Sequence, residues 1–385
     1  MKVGIIDADL IGRHKHRFPN LVCEKISGYW KNNGAEVHLL LDYDHFDDYD
    51  QIYVSKVFTD TPVPEWLKET DTVHLGGTGF FFDEAPELPY DIEHHMPDYH
   101  LYDSWIQQEI EKARGEYARA KRKFNEKSYR VQFKEYTEYS IGFITRGCFR
   151  KCKFCVNQKF DRVFVHSPLS EFYTDKRKKI CLLDDNFLGC SNWKPLLQQL
   201  IDLGKPFKFK QGLDERLLTD EKCEMLFNAS YDGDYTFAFD NIADYDLIKE
   251  KLKMIRRHTT STSVKFYVLV GFESTDATDI ENAFKRLELL MKYQCLPYIM
   301  RFQDKNRKPW QESKYRGMYV ALARWANQPS IYKKMSFRYF CEANQALKPE
   351  NSTKLCATMK AMVDFERDHP EIAKKYFDLR YEDFR

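Results

Sequence analysis

Short apolar runs alternate with an amphipathic helical pattern through the first hundred residues. Residues 20–33 carry apolar side chains at helical spacing and are followed by Gly34, a residue typical of helix ends. The apolar runs predict strands at 2–7, 36–41, 51–54 and 72–75. Strands that alternate with helices over short connections favour a parallel sheet with helices on its faces. We therefore predict a Rossmann-like domain over residues 1–103.

A basic helical linker is predicted over residues 104–138. The pattern at 105–135 is that of one long helix, with Arg119, Lys121, Arg122 and Lys123 at its centre. This helix connects two domains, and its basic face is either solvated or a binding surface.

A second α/β region is predicted over residues 139–303. Its strands are predicted at 140–145, 179–183, 207–211, 235–239, 265–270 and 297–302, and its helices at 193–203, 219–228, 245–258 and 276–294. Six strands that alternate with helices indicate a partial (β/α)6 TIM-like barrel, in which chemistry belongs on the loops after the strands. Residues 304–385 are predicted to be mainly helical, with helices near 315–326 and 361–377.

Composition excludes several classes of protein. Apolar residues make up 43% of the 385 residues, which is enough for a sizeable core. Lys plus Arg total 60 and Asp plus Glu total 59, so bulk charge does not recruit polyanions. No run of 18 apolar residues is present, which argues against a membrane span, and the first apolar run is too short for a signal peptide. We expect a cytoplasmic protein.

The cysteines fall into two groups. Seven are scattered and are expected to be small buried hydrophobes: Cys23, Cys181, Cys190, Cys223, Cys295, Cys341 and Cys356. Cys148, Cys152 and Cys155 are spaced C-x3-C-x2-C directly after the first barrel strand. Three thiolates leave one metal position open, whereas structural zinc needs a fourth protein ligand, for which His166 is the nearest histidine downstream. An iron–sulfur cluster held by three cysteines instead leaves one iron free.

This motif, with Phe154 before its third cysteine, resembles that of the radical S-adenosylmethionine (radical SAM) superfamily. The resemblance covers about residues 139–303. It implies that Cys148, Cys152 and Cys155 hold one [4Fe-4S] cluster whose free iron binds S-adenosylmethionine (SAM). Reduction of the cluster then cleaves SAM to a 5′-deoxyadenosyl radical, which requires an external one-electron reductant of the flavodoxin or ferredoxin kind.

The resemblance also implies residues that contact SAM near the first strands of the barrel. Asp184 and Asp185 lie in a DDNF element after the second strand and are candidates to bind the methionine ammonium group; the alternative is a turn with solvated carboxylates. Gln211 lies at the end of the third strand, and Arg216 is a candidate fork for the SAM carboxylate. Arg216 and Asp214 can instead pair with each other.

Two later positions complete the implied SAM site. Asp240 ends the fourth strand and is a candidate for the ribose hydroxyls, the alternative being a helix cap. Gly271 follows the fifth strand in a region similar to the one that contacts adenine through its backbone.

The N-terminal domain resembles the cobalamin-binding class. Gly76-Gly77-Thr78 fits a glycine-rich element that lets the backbone approach a cofactor, but the D-x-H-x-x-G element with a cobalt-binding histidine is absent. Cobalamin is therefore an optional cofactor of the prediction. The loop after the first strand carries His14, His16, Arg17 and Asn20, which either contact a cofactor or substrate or form a polar surface.

Three functions stay open from the sequence. The first is a radical SAM enzyme that abstracts hydrogen from an unidentified substrate, and the second is a cobalamin-dependent radical SAM methyltransferase. The third is a non-catalytic iron–sulfur or zinc module that binds a nucleic acid or a protein. Basic and aromatic residues interleave near the C-terminus, a pattern compatible with nucleic acid or with a helical cap on the barrel. They are Lys305, Arg307, Lys308, Lys314, Arg316, Lys333, Lys334 and Arg338, with Trp310, Tyr315, Tyr319 and Trp325.

Overall fold

A computed structural model of the chain describes residues 1–13, 16–261, 263–304, 307–349 and 354–384. It is a mixed α/β structure whose larger sheets are parallel. The chain forms two compact units. The first comprises residues 1–151, 156–192 and 198–210, and the second comprises residues 152–155, 193–197 and 211–385.

The first unit begins with a four-stranded parallel sheet in the order β2-β1-β3-β4. Its strands are β1 (Lys2–Asp7), β2 (Glu36–Leu39), β3 (Gln51–Ser55) and β4 (Val73–Gly76). Both faces of β1 are covered, since Val3 and Ile5 pack with α-helical residues such as Ile26 while Ile6 packs with Ile52. Continuous burial explains why the strand reads as an unbroken apolar run.

Seven helices accompany this sheet in the described part of the chain. They are α1 (Ala8–Gly12), α2 (Leu21–Asn32), α3 (Thr78–Phe81), α4 (Tyr90–Glu93), α5 (Asp103–Arg119), α6 (Glu126–Arg130) and α7 (Lys134–Thr137). Asn20 caps α2 by accepting from the amides of Val22 and Cys23.

The single helix predicted over 105–135 is wrong. The chain leaves helical geometry after α5, where Lys121 adopts φ +52°, and Phe124 folds back to pack on Tyr117 and Tyr129. The segment is also more than a solvated connector, because Trp105 and Ile110 of α5 are buried in the core of the first unit.

The same unit contains a second parallel sheet and a short hairpin. Their strands are β5 (Tyr139–Gly142), β6 (Thr145–Arg146), β7 (Phe164–Val165), β8 (Lys179–Leu182) and β9 (Phe207–Phe209), and helix α8 (Trp193–Asp202) lies between β8 and β9 in sequence. The parallel order is β5-β8-β9, while β6 and β7 pair in antiparallel fashion.

Buried polar groups tie this sheet to the preceding segment. The Tyr99 hydroxyl donates to Phe172 O at 2.6 Å and accepts from Ile141 N at 2.8 Å. The buried guanidinium of Arg177 donates to Tyr136 O at 2.5 Å and also to Tyr99 O. Residues on either side of the predicted boundary at 138–139 therefore share one core.

The second unit is built on a parallel sheet in the order β10-β11-β12. Its strands are β10 (Tyr235–Ala238), β11 (Val264–Val270) and β12 (Leu296–Arg301), and the helices of the same region are α9 (Asp220–Phe227), α10 (Tyr245–His258) and α11 (Ala277–Lys292). Helical segments follow: α12 (Pro309–Glu312), α13 (Arg316–Ala326), α14 (Pro329–Tyr332), α15 (Phe337–Ala346), α16 (Ala357–Asp368) and α17 (Pro370–Tyr376).

The segment predicted to be helical at 361–377 is helical and is divided between α16 and α17. Pro370 starts α17, and since proline has no amide hydrogen it favours the first position of a helix over its interior. None of the helices in the described residues combines the length and apolarity that a bilayer span requires.

Candidate functional site

A tight turn at Gly147 leads from β6 into the cysteine motif. Gly147 has φ +87°, and a Cβ there would lie 2.3 Å from Arg162 O. Both the conformation and the space therefore require glycine. The Gly147 amide also donates to Asp185 Oδ2 at 2.7 Å. These contacts fix the backbone immediately before Cys148.

The sulfur of Cys148 accepts two hydrogen bonds. Its Sγ lies 3.3 Å from Arg150 N and 3.3 Å from Asn186 Nδ2. Asn186 is buried, whereas Cys148 is half-buried. N–H donors stabilise the thiolate form, and hydrogen bonds to sulfur tune the potential of iron–sulfur clusters. The surroundings of Cys148 therefore suit a thiolate ligand.

Cys152 and Cys155 belong to the second unit and are joined by a turn. Cys155 N donates to Cys152 O at 2.9 Å. Between them, the Phe154 ring packs edge-on against Phe272 with 5.5 Å between centroids, and Phe272 in turn contacts Phe302 at 4.8 Å. The predicted cofactor residue Phe154 thus anchors the motif on loops that follow β11 and β12.

The three cysteines of the motif are the candidate ligands of a metal group. Within the residues that the structure describes, no three His, Cys, Asp or Glu side chains converge in metal-binding geometry. Cys148, Cys152 and Cys155 are all half-buried. Thiols are the usual ligands of iron–sulfur clusters, and the sulfur of Cys148 accepts from two N–H groups.

Asp184 supports the loop that carries the motif. Its Oδ1 accepts from Thr145 N and Thr145 Oγ1, both at 2.6 Å, and its Oδ2 accepts from Ile144 N at 3.3 Å. Burial raises the pKa of the Asp184 carboxyl to about 7, while the bonds from Thr145 oppose the shift. Both oxygens are engaged, so the contacts give Asp184 a structural role.

Asp185 is more accessible, with 19% of its side chain exposed. One of its oxygens holds Gly147 N, and the Arg146 Nε lies 3.8 Å from the same oxygen. Of the two predicted aspartates, Asp185 is therefore the better candidate to receive an ammonium group.

Arg146 belongs to an ionisable network that sequence reasoning missed. Its guanidinium lies 4.0 Å from Glu93 Oε1, which also receives Lys25 Nζ at 3.2 Å and His166 Nε2 at 3.5 Å. Burial lowers the pKa of His166 to about 4. The feature of the sequence that could have pointed to Arg146 is its position two residues before Cys148. Its partners could not be found in this way, because they come from distant segments.

Gln211 and Arg216 follow β9, in the second unit. Gln211 is exposed, whereas Arg216 Nε pairs with Asp214 Oδ1 at 2.7 Å and lies 3.8 Å from Glu215. Burial raises the pKa of Glu215 to about 8, with Asp214 adding to the shift. The pairing with Asp214 is the alternative that the sequence left open.

Asp240 and Gly271 lie after neighbouring strands of the second unit. Asp240 Oδ1 accepts from Leu269 N at 3.2 Å. Burial raises the pKa of Asp240 to about 6, and Arg286 opposes the shift. The Gly271 amide already donates to Asp279 Oδ2 at 2.7 Å. Backbone contact from Gly271 to a ligand would therefore have to use its carbonyl.

Comparison with known proteins adds no assignment. A scan against protein-family models finds no matching family, and a search of the curated proteins finds no significantly similar sequence. Function therefore has to be argued from the residues themselves.

Groups at the carboxyl edge of the N-terminal sheet contact one another. Strand order reverses between β1 and β3, where doubly wound sheets usually bind ligands. Here Asp9 Oδ2 accepts from Val57 N at 2.6 Å and its Oδ1 accepts from the Thr61 hydroxyl. Gly77 faces Lys56, whose carbonyl oxygen would lie 2.3 Å from an added Cβ. Cobalamin in this domain stays a prediction.

The loop after β1 is partly used for structure. Asn20 Nδ2 donates to Ser55 Oγ at 2.9 Å, and Arg17 lies 3.7 Å from Glu109. The His16 ring packs edge-on near Phe58. His14 lies outside the described residues.

Most scattered cysteines are buried as expected. Six of the seven are buried, and the exception is Cys356, whose Sγ accepts from Met359 N at 3.4 Å at the start of α16. These contacts are those of small core residues and a helix cap.

The basic and aromatic residues near the C-terminus fit a helical cap better than a nucleic-acid surface. Trp325 and Tyr319 are buried. Arg338 pairs with Glu366 at 2.7 Å, and Lys314 pairs with Asp368 at 2.6 Å. Basic groups with acidic partners are less available to phosphates. Lys305 lies outside the described residues.

Proposed function

We propose that this chain is a radical SAM enzyme that abstracts hydrogen from a substrate carbon. The observation that carries the proposal is the C-x3-C-x2-C motif directly after a strand, together with the two N–H donors on the sulfur of Cys148. The three cysteines would hold one [4Fe-4S] cluster. When bound and reduced by an external one-electron donor, that cluster supplies an electron for cleavage of SAM into methionine and the 5′-deoxyadenosyl radical.

The protein's own residues bind and position SAM in this proposal. Asp185 would accept from the methionine ammonium, since its carboxyl is partly exposed and is held by Gly147 N. Asp240 would accept from a ribose hydroxyl through the oxygen that Leu269 N does not occupy. Phe154 would keep water from the cofactor by its packing on Phe272.

The partial (β/α)6 barrel belongs to the same proposal. Two three-stranded parallel sheets, β5-β8-β9 and β10-β11-β12, support it, because each contains three of the six strands that the sequence pattern predicts. A helix lies between β8 and β9, between β10 and β11, and between β11 and β12 in sequence, as connections of a β/α barrel require.

The experiment compares Cys152→Ala with the wild-type chain after anaerobic reconstitution with iron and sulfide. Incubation with dithionite and SAM is expected to yield 5′-deoxyadenosine from the wild type only. Iron content should fall in Cys152→Ala because a cluster ligand is lost. Cys356→Ala is the matched control, since this cysteine is also half-buried but lies outside the motif. Zinc in place of iron, or 5′-deoxyadenosine formation by Cys152→Ala, would contradict the proposal.

A further inference from the structure

The turn that ends α5 carries a dense group of cations on the surface of the first unit. Between residues 112 and 130 the chain has eight basic and two acidic residues, although its formal net charge as a whole is only +1. Four of the basic residues lie within five consecutive positions and are all exposed: Arg119, Lys121, Arg122 and Lys123. We call these four residues the basic turn.

The cations of the basic turn have no acidic partner in the part of the chain that the structure describes. No carboxylate oxygen there lies within 4.0 Å of their side-chain nitrogens. Arg114 and Arg130 on either side differ, since both pair with Glu126, at 2.6 and 2.8 Å. The C-terminal cations Lys314 and Arg338 are paired with carboxylates as well. The charges of the basic turn are therefore available to an anion from outside the chain.

The backbone keeps these cations close together. Arg119 is the last residue of α5, and the chain reverses beyond it so that Phe124 packs on Tyr117. The guanidinium carbon of Arg122 lies 5.0 Å from the centroid of the Tyr117 ring, and a guanidinium stacked on a ring can still donate from its N–H edge. Five residues span less than about 18 Å even when fully extended, whereas a nucleic-acid duplex carries one negative charge per about 1.7 Å. One polyanion can therefore meet all four cations.

Lys121 occupies a position whose backbone favours glycine. Its φ is +52°, a conformation that costs a side chain about 1 kcal/mol and costs glycine nothing comparable. Strained residues of this kind are concentrated where a protein binds a ligand. A lysine at this position therefore points to a role for its charge.

The surroundings of the basic turn favour a nucleic acid over a protein as the partner. Protein interfaces have an apolar core, whereas nucleic-acid interfaces are polar and strongly positive. The large apolar side chains of residues 112–130 are Tyr117, Phe124 and Tyr129, which are half-buried and pack on one another. The exposed Val131 that follows is a single small side chain and does not form an apolar core.

We propose that the basic turn binds the phosphate backbone of a nucleic acid. Guanidinium groups donate to two oxygens of one phosphate, and ammonium groups add positive charge beside it. Such contacts position a strand without reading its sequence. The inference goes beyond the proposed function, because it requires neither the cluster nor SAM.

The test measures binding of the full-length chain to labelled single strands of RNA and of DNA, each about 20 nucleotides long, by fluorescence anisotropy. One variant combines Arg119→Gln, Lys121→Gln, Arg122→Gln and Lys123→Gln. It is expected to bind about tenfold or more weakly than the wild type. The slope of log association constant against log salt concentration should decrease in magnitude by about 3, because fewer counterions are released. The strand that binds more tightly distinguishes RNA from DNA.

Lys121→Gly separates the role of the charge from folding. This variant is expected to bind the strands about threefold or more weakly, since one phosphate contact is lost. Its unfolding midpoint in urea should nevertheless rise, because glycine adopts positive φ without steric cost. A purely structural role for Lys121 would not combine weaker binding with higher stability.

Lys178→Gln is the matched control, because Lys178 is an exposed lysine of the same unit that pairs with Glu138 at 3.2 Å. Its binding should equal that of the wild type. The inference is overturned if the wild type binds neither strand, if the fourfold variant binds as the wild type does, or if Lys178→Gln loses as much affinity as Lys121→Gly. Binding of poly-glutamate as tightly as of nucleic acid would also overturn it, in favour of an acidic protein.

Discussion

Two aspartates near the carboxyl ends of parallel strands show how single side chains hold the loops. Asp7 is the last residue of β1. Its Oδ1 accepts from Leu10 N, and its Oδ2 accepts from the Tyr102 hydroxyl at 2.9 Å. Asp184 does the same after β8 with Thr145. Burial raises the pKa of each carboxyl to about 7. Both loops are therefore sensitive to protonation near neutral pH.

Asp7→Asn is expected to change how stability depends on pH. The folded protein holds the proton of Asp7 up to a pKa of about 7, whereas the unfolded chain releases it near 3.8. The free energy of unfolding therefore falls as pH rises through this window, by at most about 4 kcal/mol from this group. Asparagine does not titrate, so the variant lacks this pH-dependent loss of unfolding free energy. Its stability relative to wild type should therefore increase between pH 4 and pH 7 in urea unfolding.

Asp71→Asn serves as the control for this measurement, because Asp71 is exposed. Its unfolding midpoint should follow that of the wild type at every pH. Parallel curves for Asp7→Asn and wild type would show that the Asp7 carboxyl does not hold its proton in the folded state.

Asn186→Leu is expected to lower the reduction potential of the proposed cluster. The amide of Asn186 donates to the sulfur of Cys148, and such a bond stabilises the more negative, reduced state. A net hydrogen bond of about 1 kcal/mol corresponds to about 40 mV for one electron. The measurement is a redox titration followed by electron paramagnetic resonance. Asn192→Leu is the control, since Asn192 is exposed and makes no side-chain cap. An unchanged reduction potential in Asn186→Leu would contradict the proposal that Cys148 is a cluster ligand whose sulfur accepts from Asn186.

The proposed cluster ligands can be named from the sequence at this scale, whereas the groups that contact them cannot. Cys148, Cys152 and Cys155 are recognisable because their spacing is local in sequence. Asn186 and Arg146 act through partners from other segments, such as Glu93, so no local pattern reveals their contacts.

At the scale of an element, the end of α5 shows most clearly why the sequence pattern mispredicts a helix boundary. Lys121 N donates to Ala118 O at 3.0 Å and Arg122 N donates to Tyr117 O at 2.9 Å. This pair of bonds is the Schellman motif, in which the residue at the position of Lys121 adopts the left-handed region and is most often glycine. Because the sequence has lysine at this position and not glycine, its pattern contains no signal for a helix end and predicts that the helix continues.

Lys121→Gly is expected to stabilise the protein by about 1 kcal/mol, since glycine adopts positive φ without the steric cost that a side chain incurs. Urea unfolding gives the measurement. Lys123→Gly is the matched control, because Lys123 is equally exposed but does not have positive φ. A loss of stability in Lys121→Gly comparable to that in Lys123→Gly would contradict the expectation.

Several strands and several helices were predicted with closely matching ends, as the helix predicted at 245–258 is α10. The first strand coincides with Lys2–Asp7, and the strand predicted at 235–239 is Tyr235–Ala238. Buried parallel strands are continuous apolar runs bounded by polar loops, so the pattern itself defines them. Helix ends depend on caps and on packing, as Lys121 and Pro370 show.

At the scale of the whole molecule, the chain divides differently from the four predicted segments. Sheet β5-β8-β9 belongs to the same compact unit as the N-terminal sheet, whereas β10-β11-β12 belongs with the C-terminal helices. The α/β class could be predicted from the alternation of strands and helices. The grouping of the sheets into two compact units could not be predicted, because it depends on buried hydrogen bonds such as those of Tyr99 and Arg177. These bonds join residues far apart in sequence.

The bonds of Tyr99 limit how this protein can be taken apart. A gene fragment that starts at residue 139 would remove the acceptor of the Ile141 amide and the donor to Phe172 O in one cut. A chimera that joins residues 139–385 to a different N-terminal domain would therefore have to retain Tyr99. Otherwise, the new domain would have to supply a hydroxyl that reaches the same two main-chain groups.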